Sequence, residues 1–357
     1  MSHDSSKAIF GTLNGLRGIA ALIIVAFHGS LGEALSLGNG YLAVDLFFVL
    51  SGLVIAHAYE KRLKSGISLG DFVRIRLIRL YPLYIFGILI SILFLLLSYV
   101  SKGQIIEERL KLFRSIPFAI LMLPSPPSNS DWSQGLYPLN PAAWSLFFEL
   151  VINLVYAATF RYWTSVRLGF GLIVVASILF YNALTTGLIY GGGGANWSSL
   201  HFGLLRVCYS FPAGVLIYRI HQRGARIPIV PPLILITAFP FLLMLPSPWC
   251  APFNVLVGFP LLVALASASE ARRGIAAVSN TLGAASYAMY AIHSPLYLIS
   301  VPTFSRLGLT PLLAEIVVVA CIIPFSLIID RVYDTPIRGR LNHWYTRTRL
   351  KMVGLRQ

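Results

Sequence analysis

The sequence predicts an all-α polytopic membrane protein of about ten transmembrane helices, with N- and C-termini on the cytoplasmic side. Three observations carry this expectation. The 357 residues are 57% hydrophobic and 11% charged, where a soluble domain has about a quarter charged residues. Apolar runs approaching the roughly 20 residues needed to cross the hydrocarbon core recur along the whole chain. Lys and Arg gather in alternate connections between those runs, as the positive-inside rule requires, so the net charge of +15 calls for no nucleic-acid partner.

The runs lie near 14–35, 41–59, 80–100, 141–160, 167–188, 201–220, 229–247, 252–269, 279–303 and 310–331. The polar N-terminus "MSHDSSKAIFGTLNG" has no small-residue cleavage pattern behind a short apolar core, so the first run is expected to be retained. The basic stretches 60–79, 161–167, 219–226, 270–273 and 338–351 then share one face, which is the cytoplasmic one. The other face takes 191–199, 246–252, the turn at Arg306 and the long connection 101–140, whose mixed-charge "KGQIIEERLKLFR" dissents. Within that connection, Ile116–Leu123 is too short to cross and reads as a re-entrant or surface helix. Residues 1–335 form the transmembrane domain and 336–357 a basic cytoplasmic tail. Cys208, Cys250 and Cys321 are scattered through apolar stretches as core residues, and no metal site is expected.

Ionisable residues in such segments default to a functional reading. Arg17 stands at the cytoplasmic start of "LRGIAALIIVAFH", and His28 is roughly 16 Å deeper along the helix. Asp45, Glu149, Tyr290 and His293 arrive at comparable height on three other spans. A histidine beside a carboxylate in a water-poor site is equipped to take a proton from a hydroxyl, so His28 is the candidate base and Asp45 or Glu149 its support. At the cytoplasmic end, Arg76 and Arg79 stand one turn apart in "DFVRIRLIRLYP" and, with Arg17, form a candidate phosphate clamp.

Plainer roles compete with each of these. Arg76 and Arg79 also fit positive-inside anchors, Asp45 and Glu149 fit structural ion pairs with arginines, and His28 fits a hydrogen-bonded structural histidine. His293, before Ser294 and Pro295, fits a side chain that satisfies backbone groups freed by the proline. Ser51 lacks a GxSxG setting and, with Gly52, reads as a close-packing site. "GGGG" at 191–194 lacks the ending of a phosphate-binding P-loop.

Six pieces, in this order, are "LNGLRGIAALIIVAFH", "AVDLFFVLSGLVI", "FVRIRLIRLYPLY", "WSLFFELVINLVY", "SYAMYAIHSPL" and "DTPIRGRL". Together they resemble the acyltransferase-3 family of integral membrane O-acyltransferases. The resemblance implies transfer of an acyl group, usually acetyl, from cytoplasmic acyl-CoA to a hydroxyl, often on a sugar of a surface polysaccharide, lipopolysaccharide or exopolysaccharide. It implies essential roles for Arg17 and His28, donor binding by Arg76 and Arg79, and acidic positions at Asp45 and Glu149. It also implies acetyl-CoA or another acyl-CoA as donor substrate, a glycan or lipid-linked sugar as acceptor, and a bacterial inner membrane. Two departures stand out: Asn14 replaces the acid that many members carry before the first arginine, and no SGNH-type hydrolase domain is expected after the last span. Direct transfer and a transient acyl-enzyme both remain open, as does a carrier role supplying a separate periplasmic transferase. A secondary transporter is the rival class, although no internal repeat is evident.

Overall fold

The computed structural model describes residues 11–101, 106–129, 135–186, 193–245 and 249–354. The expectations for the extreme N-terminus and for parts of the loops around 102–105, 130–134, 187–192 and 246–248 lie outside these residues. Fourteen α-helices carry the described fold: α1 (Gly11–Phe27), α2 (Ser30–Ala34), α3 (Ala43–Lys64), α4 (Leu69–Ser101), α5 (Ile106–Ile120), α6 (Ala143–Thr159), α7 (Ser165–Thr186), α8 (Leu200–Gln222), α9 (Pro232–Met244), α10 (Cys250–Phe253), α11 (Phe259–Ala268), α12 (Arg273–Arg306), α13 (Pro311–Ile329) and α14 (Thr335–Gly354). Among the described residues, an isolated bridge between Gly135 and Asn196 is the sole extended pairing.

The protein is a multi-pass membrane protein built from helices. Among the described residues, seven helical segments are long and apolar enough to cross a bilayer: Gly40–Lys64, Leu69–Leu96, Ala143–Tyr162, Ser165–Thr185, Trp197–Gln222, Cys250–Ala268 and Pro311–Arg347. Gly11–Phe27 and Pro232–Met244 are shorter apolar helices, and α12 has 34 residues. The third expected span begins about three turns earlier than its apolar run, at Leu69. Arg74, Arg76 and Arg79 therefore stand inside a helix, where carboxylates and aromatic rings of α6, α12 and α14 meet them. The segment read as a tail is the helix α14, tied to the start of α4 by the Tyr345 hydroxyl donating to Asp71 (2.5 Å).

Close backbone approach organises the interior. A Cβ at Gly52 would fall 2.0 Å from the Phe211 carbonyl oxygen, and one at Gly214 equally close to Val49 O. Thus α3 and α8 run side by side in contact, as small residues allow between membrane helices. Two ion pairs brace that seam, Asp45–Arg206 near one end and Glu60–Arg219 near the other.

A proline break is repaired in α12. Pro295 has no N–H for the Ala291 carbonyl one turn back, and Asn140 Nδ2 donates to that oxygen instead (2.9 Å). The repair comes from the segment leading into α6, so it also fixes α6 against α12.

Candidate active site

The contact of α1 with α12 positions the first functional side chain. A Cβ at Gly18 would lie 2.4 Å from Leu282 Cβ, so the helices touch and the Arg17 guanidinium reaches α12, donating to Gly283 O (2.6 Å). From α4, Arg76 is buried and pairs with Glu149 of α6 (2.9 Å). Glu149 also accepts from the Ser51 hydroxyl (2.8 Å). Arg79 is half-exposed, stacked over the Tyr287 ring at 5.2 Å and 3.9 Å from the buried Asp334 carboxylate.

These side chains line one cavity of about 420 Å³ between α1, α3, α4, α6 and α12. Arg17, Arg76, Arg79 and Glu149 line it together with Phe47, Ser145 and Tyr290. Three guanidiniums facing one carboxylate leave an excess of positive charge suited to phosphate oxygens. Ser145 and Tyr290 share a hydrogen bond between their hydroxyls, and Tyr290 also donates to Ala142 O (3.2 Å). Asn14, at the departure from the resembled pattern, also lines the cavity and donates to the side-chain oxygen of Asn280 (2.9 Å).

Behind Tyr290 the two predicted histidines meet. The His293 ring lies 5.7 Å from that of Tyr290 and 5.0 Å from that of His28, centroid to centroid. His28 Nδ1 contacts Ile24 O at 2.7 Å, and His293 Nδ1 contacts Tyr290 O at 2.8 Å. A carbonyl only accepts, so each Nδ1 carries the proton and each Nε2 keeps its lone pair. His293 Nε2 is buried with no hydrogen-bond partner among the described residues. His28 is exposed and lines a second cleft, about 480 Å³, with Phe27, Ser30 and Glu33.

The expected histidine–carboxylate pair takes another form. Asp45 is fully buried and gripped by Arg206, whose Nε lies 3.1 and 3.2 Å from the two carboxylate oxygens and whose Nη2 is 2.5 Å from one of them. Glu149 belongs to Arg76 and Ser51. Main-chain carbonyls therefore set the tautomers, a role the carboxylates were expected to fill. The physical reason is local: each histidine bonds one turn back along its own helix, which needs no second helix.

Sequence reasoning passed over Arg206, Ser145, Tyr287 and Glu315, and read Ser51 only as a packing residue. Arg206 was detectable, being a lone cation within "HFGLLRVCYSF", the same signal that marks Arg17. Glu315 is buried on α13 and accepts from the Ser30 hydroxyl (3.0 Å) and the Leu31 amide (2.7 Å), anchoring the chain just after His28. Ser51 contributes a hydrogen bond to the cavity, whereas Gly52 supplies the close packing.

Comparison with known proteins bears on this arrangement. The chain is 42% identical over 156 residues to "Protein 2 in picA locus" of Rhizobium radiobacter, covering 42% of this chain and 81% of that relative. No solved structure matches. The acyltransferase-3 family profile, described as "Acyltransferase domain", matches residues 10–331, a stretch that holds the cavity, both histidines and all three cavity arginines, and the chain belongs to that family of membrane acyltransferases.

Proposed function

We propose that this protein is an O-acyltransferase that takes an acyl group, most simply acetyl, from acyl-CoA on the cytoplasmic side and delivers it to a hydroxyl of a cell-surface sugar. The observation that carries the reading is the cavity that Arg17, Arg76 and Arg79 line together with Ser145 and Tyr290, with two histidine rings in tilted contact next to Tyr290. The arginines take the CoA phosphates, and the thioester extends toward Ser145 and Tyr290. Hydroxyl donors there stabilise charge growing on the thioester oxygen. His28 accepts the acceptor's proton at Nε2, the sugar oxygen bonds to the acyl carbon, the carbon–sulfur bond breaks, and CoA leaves as the thiolate, which takes a proton from water while His28 gives its own back to solvent. His293 lies in ring contact with both Tyr290 and His28. In this reading the chain crosses the bacterial inner membrane ten times with both ends in the cytoplasm, residues 1–335 forming the catalytic domain.

One observation favours a second version. His28 lines a cleft separate from the cavity that holds the arginines, so the acyl group has to travel past Phe47 and Tyr290 before an acceptor meets it. A carrier handing the group to a separate periplasmic transferase shares that geometry.

The test uses purified protein, acetyl-CoA labelled on the acetyl group, and cell-envelope glycans, comparing wild type with His28→Ala and with Arg76→Ala/Arg79→Ala. Labelled sugar with histidine-dependent release of CoA supports direct transfer. CoA release without labelled sugar supports the carrier version, and absence of turnover with every short acyl-CoA overturns the donor assignment.

A further inference from the structure

A second concave site lies away from the cavity. It measures about 460 Å³, sits among the ends of α3, α6, α7 and α8, and shares no lining residue with the arginine cavity. Five cations line it, Lys61, Lys64, Arg161, Arg219 and Arg223, against one carboxylate, Glu60. Glu60 is already engaged by Lys64 (2.9 Å) and Arg219 (3.1 Å). Lys61, Arg161 and Arg223 have no acidic partner among the described residues and are exposed. Arg223 donates to the Ser165 hydroxyl (3.0 Å) at the first turn of α7. That turn contains no acidic residue, so its free N–H groups and the positive end of the helix dipole add to the field.

Positive-inside anchoring asks only for cations in a loop. Here they converge from α3, the turn after α6 and the end of α8 on a hollow with aromatic walls, Phe160, Trp163 and Tyr218. Beside it, α7 presents Val166, Phe170 and Ile173, which are 83%, 70% and 67% exposed. They follow one another at helical spacing, a stripe that hydrocarbon covers in a bilayer. Exposed Tyr162 beside the hollow is a residue type favoured at the lipid headgroup level. The site thus offers cations for a phosphate and, along α7, an apolar track for acyl chains.

We propose that this pocket binds the phosphate-bearing headgroup of an anionic membrane phospholipid, whose chains lie along α7. Charge complementarity and the adjoining apolar stripe both favour a lipid over a free anion. The site stands apart from acyl transfer, so it can be tested without any activity.

The test follows thermal unfolding of the delipidated full chain in detergent as phosphatidylglycerol, phosphatidylcholine or inorganic phosphate is added. Stabilisation by phosphatidylglycerol alone is expected. In Lys61→Gln/Arg161→Gln/Arg223→Gln, the half-saturating phosphatidylglycerol concentration should rise on the order of a hundredfold, as removal of three cations near an anionic headgroup implies. Arg272→Gln/Arg340→Gln/Arg347→Gln, which removes the same charge elsewhere, should leave it within about threefold of wild type. An unchanged midpoint of the pocket variant in phosphatidylcholine shows that it has folded. Equal weakening in both variants, equal stabilisation by phosphatidylcholine or by inorganic phosphate, or no response to phosphatidylglycerol would each overturn the proposal.

Discussion

His28 and His293 face one another across 5.0 Å, and each donates its Nδ1 proton to a carbonyl of its own helix. Both rings therefore present an unprotonated Nε2, one toward a cleft and one in the interior. A neutral imidazole held in this tautomer accepts a proton without first losing one, the condition a general base must meet.

His28→Ala should lower acyl transfer by about a hundredfold to ten-thousandfold, the range spanned by positioned general bases. His293→Gln should lower it less, because His293 is the more remote from the cleft. Initial rates of CoA release check both, and equal losses would argue for a shared role.

Arg79 and Arg76 should separate binding from stability. Removing one partner of a buried pair costs about 3–5 kcal/mol, so Arg76→Ala should lower the unfolding temperature by taking from Glu149 the guanidinium bonded to it. Arg79 is half-exposed, and Arg79→Ala should cost about 1 kcal/mol or less while raising KM for acyl-CoA. A KM that stays at the wild-type value in Arg79→Ala would remove this residue from the proposed donor site.

The Asp45–Arg206 pair should behave as a structural unit. Asp45→Leu and Arg206→Met should each destabilise by about 3–5 kcal/mol, whereas Asp45→Leu/Arg206→Met should recover most of the loss. Thermal unfolding in one detergent provides the double-mutant cycle, and additive losses would count against the coupling.

Asn140 should matter only while Pro295 is present. Asn140→Ala bares the Ala291 carbonyl and should cost about 1–3 kcal/mol. In a Pro295→Ala background the helix supplies its own donor, so the same change should cost little. Comparison of the four unfolding temperatures decides it.

Much of this was legible in the sequence because a bilayer penalises polar atoms so strongly. Every apolar run expected to cross has a helix at its place, and the arginines at 17, 76 and 79 stand with Glu149 around one cavity. Pairing was harder to read. Depth along a helix placed His28, Asp45, Glu149 and His293 in one layer, but neighbours within a layer depend on rotation and contact. Those were set by Gly18 against Leu282 and Gly52 against Phe211, contacts between residues far apart in the chain. The early start of α4 was hidden because its first turns are polar, and their stability comes from Tyr345 and Asp334 near the opposite end of the sequence.

The bond from Arg17 to Gly283 joins positions 266 residues apart. It has a consequence for biosynthesis. The guanidinium enters the membrane with α1, yet its carbonyl partner leaves the ribosome only after ten further helices, α4 with its own arginines among them. A nascent chain halted anywhere before α12 holds that cation without its final contact, so the arginine cavity closes only once α12 has been made.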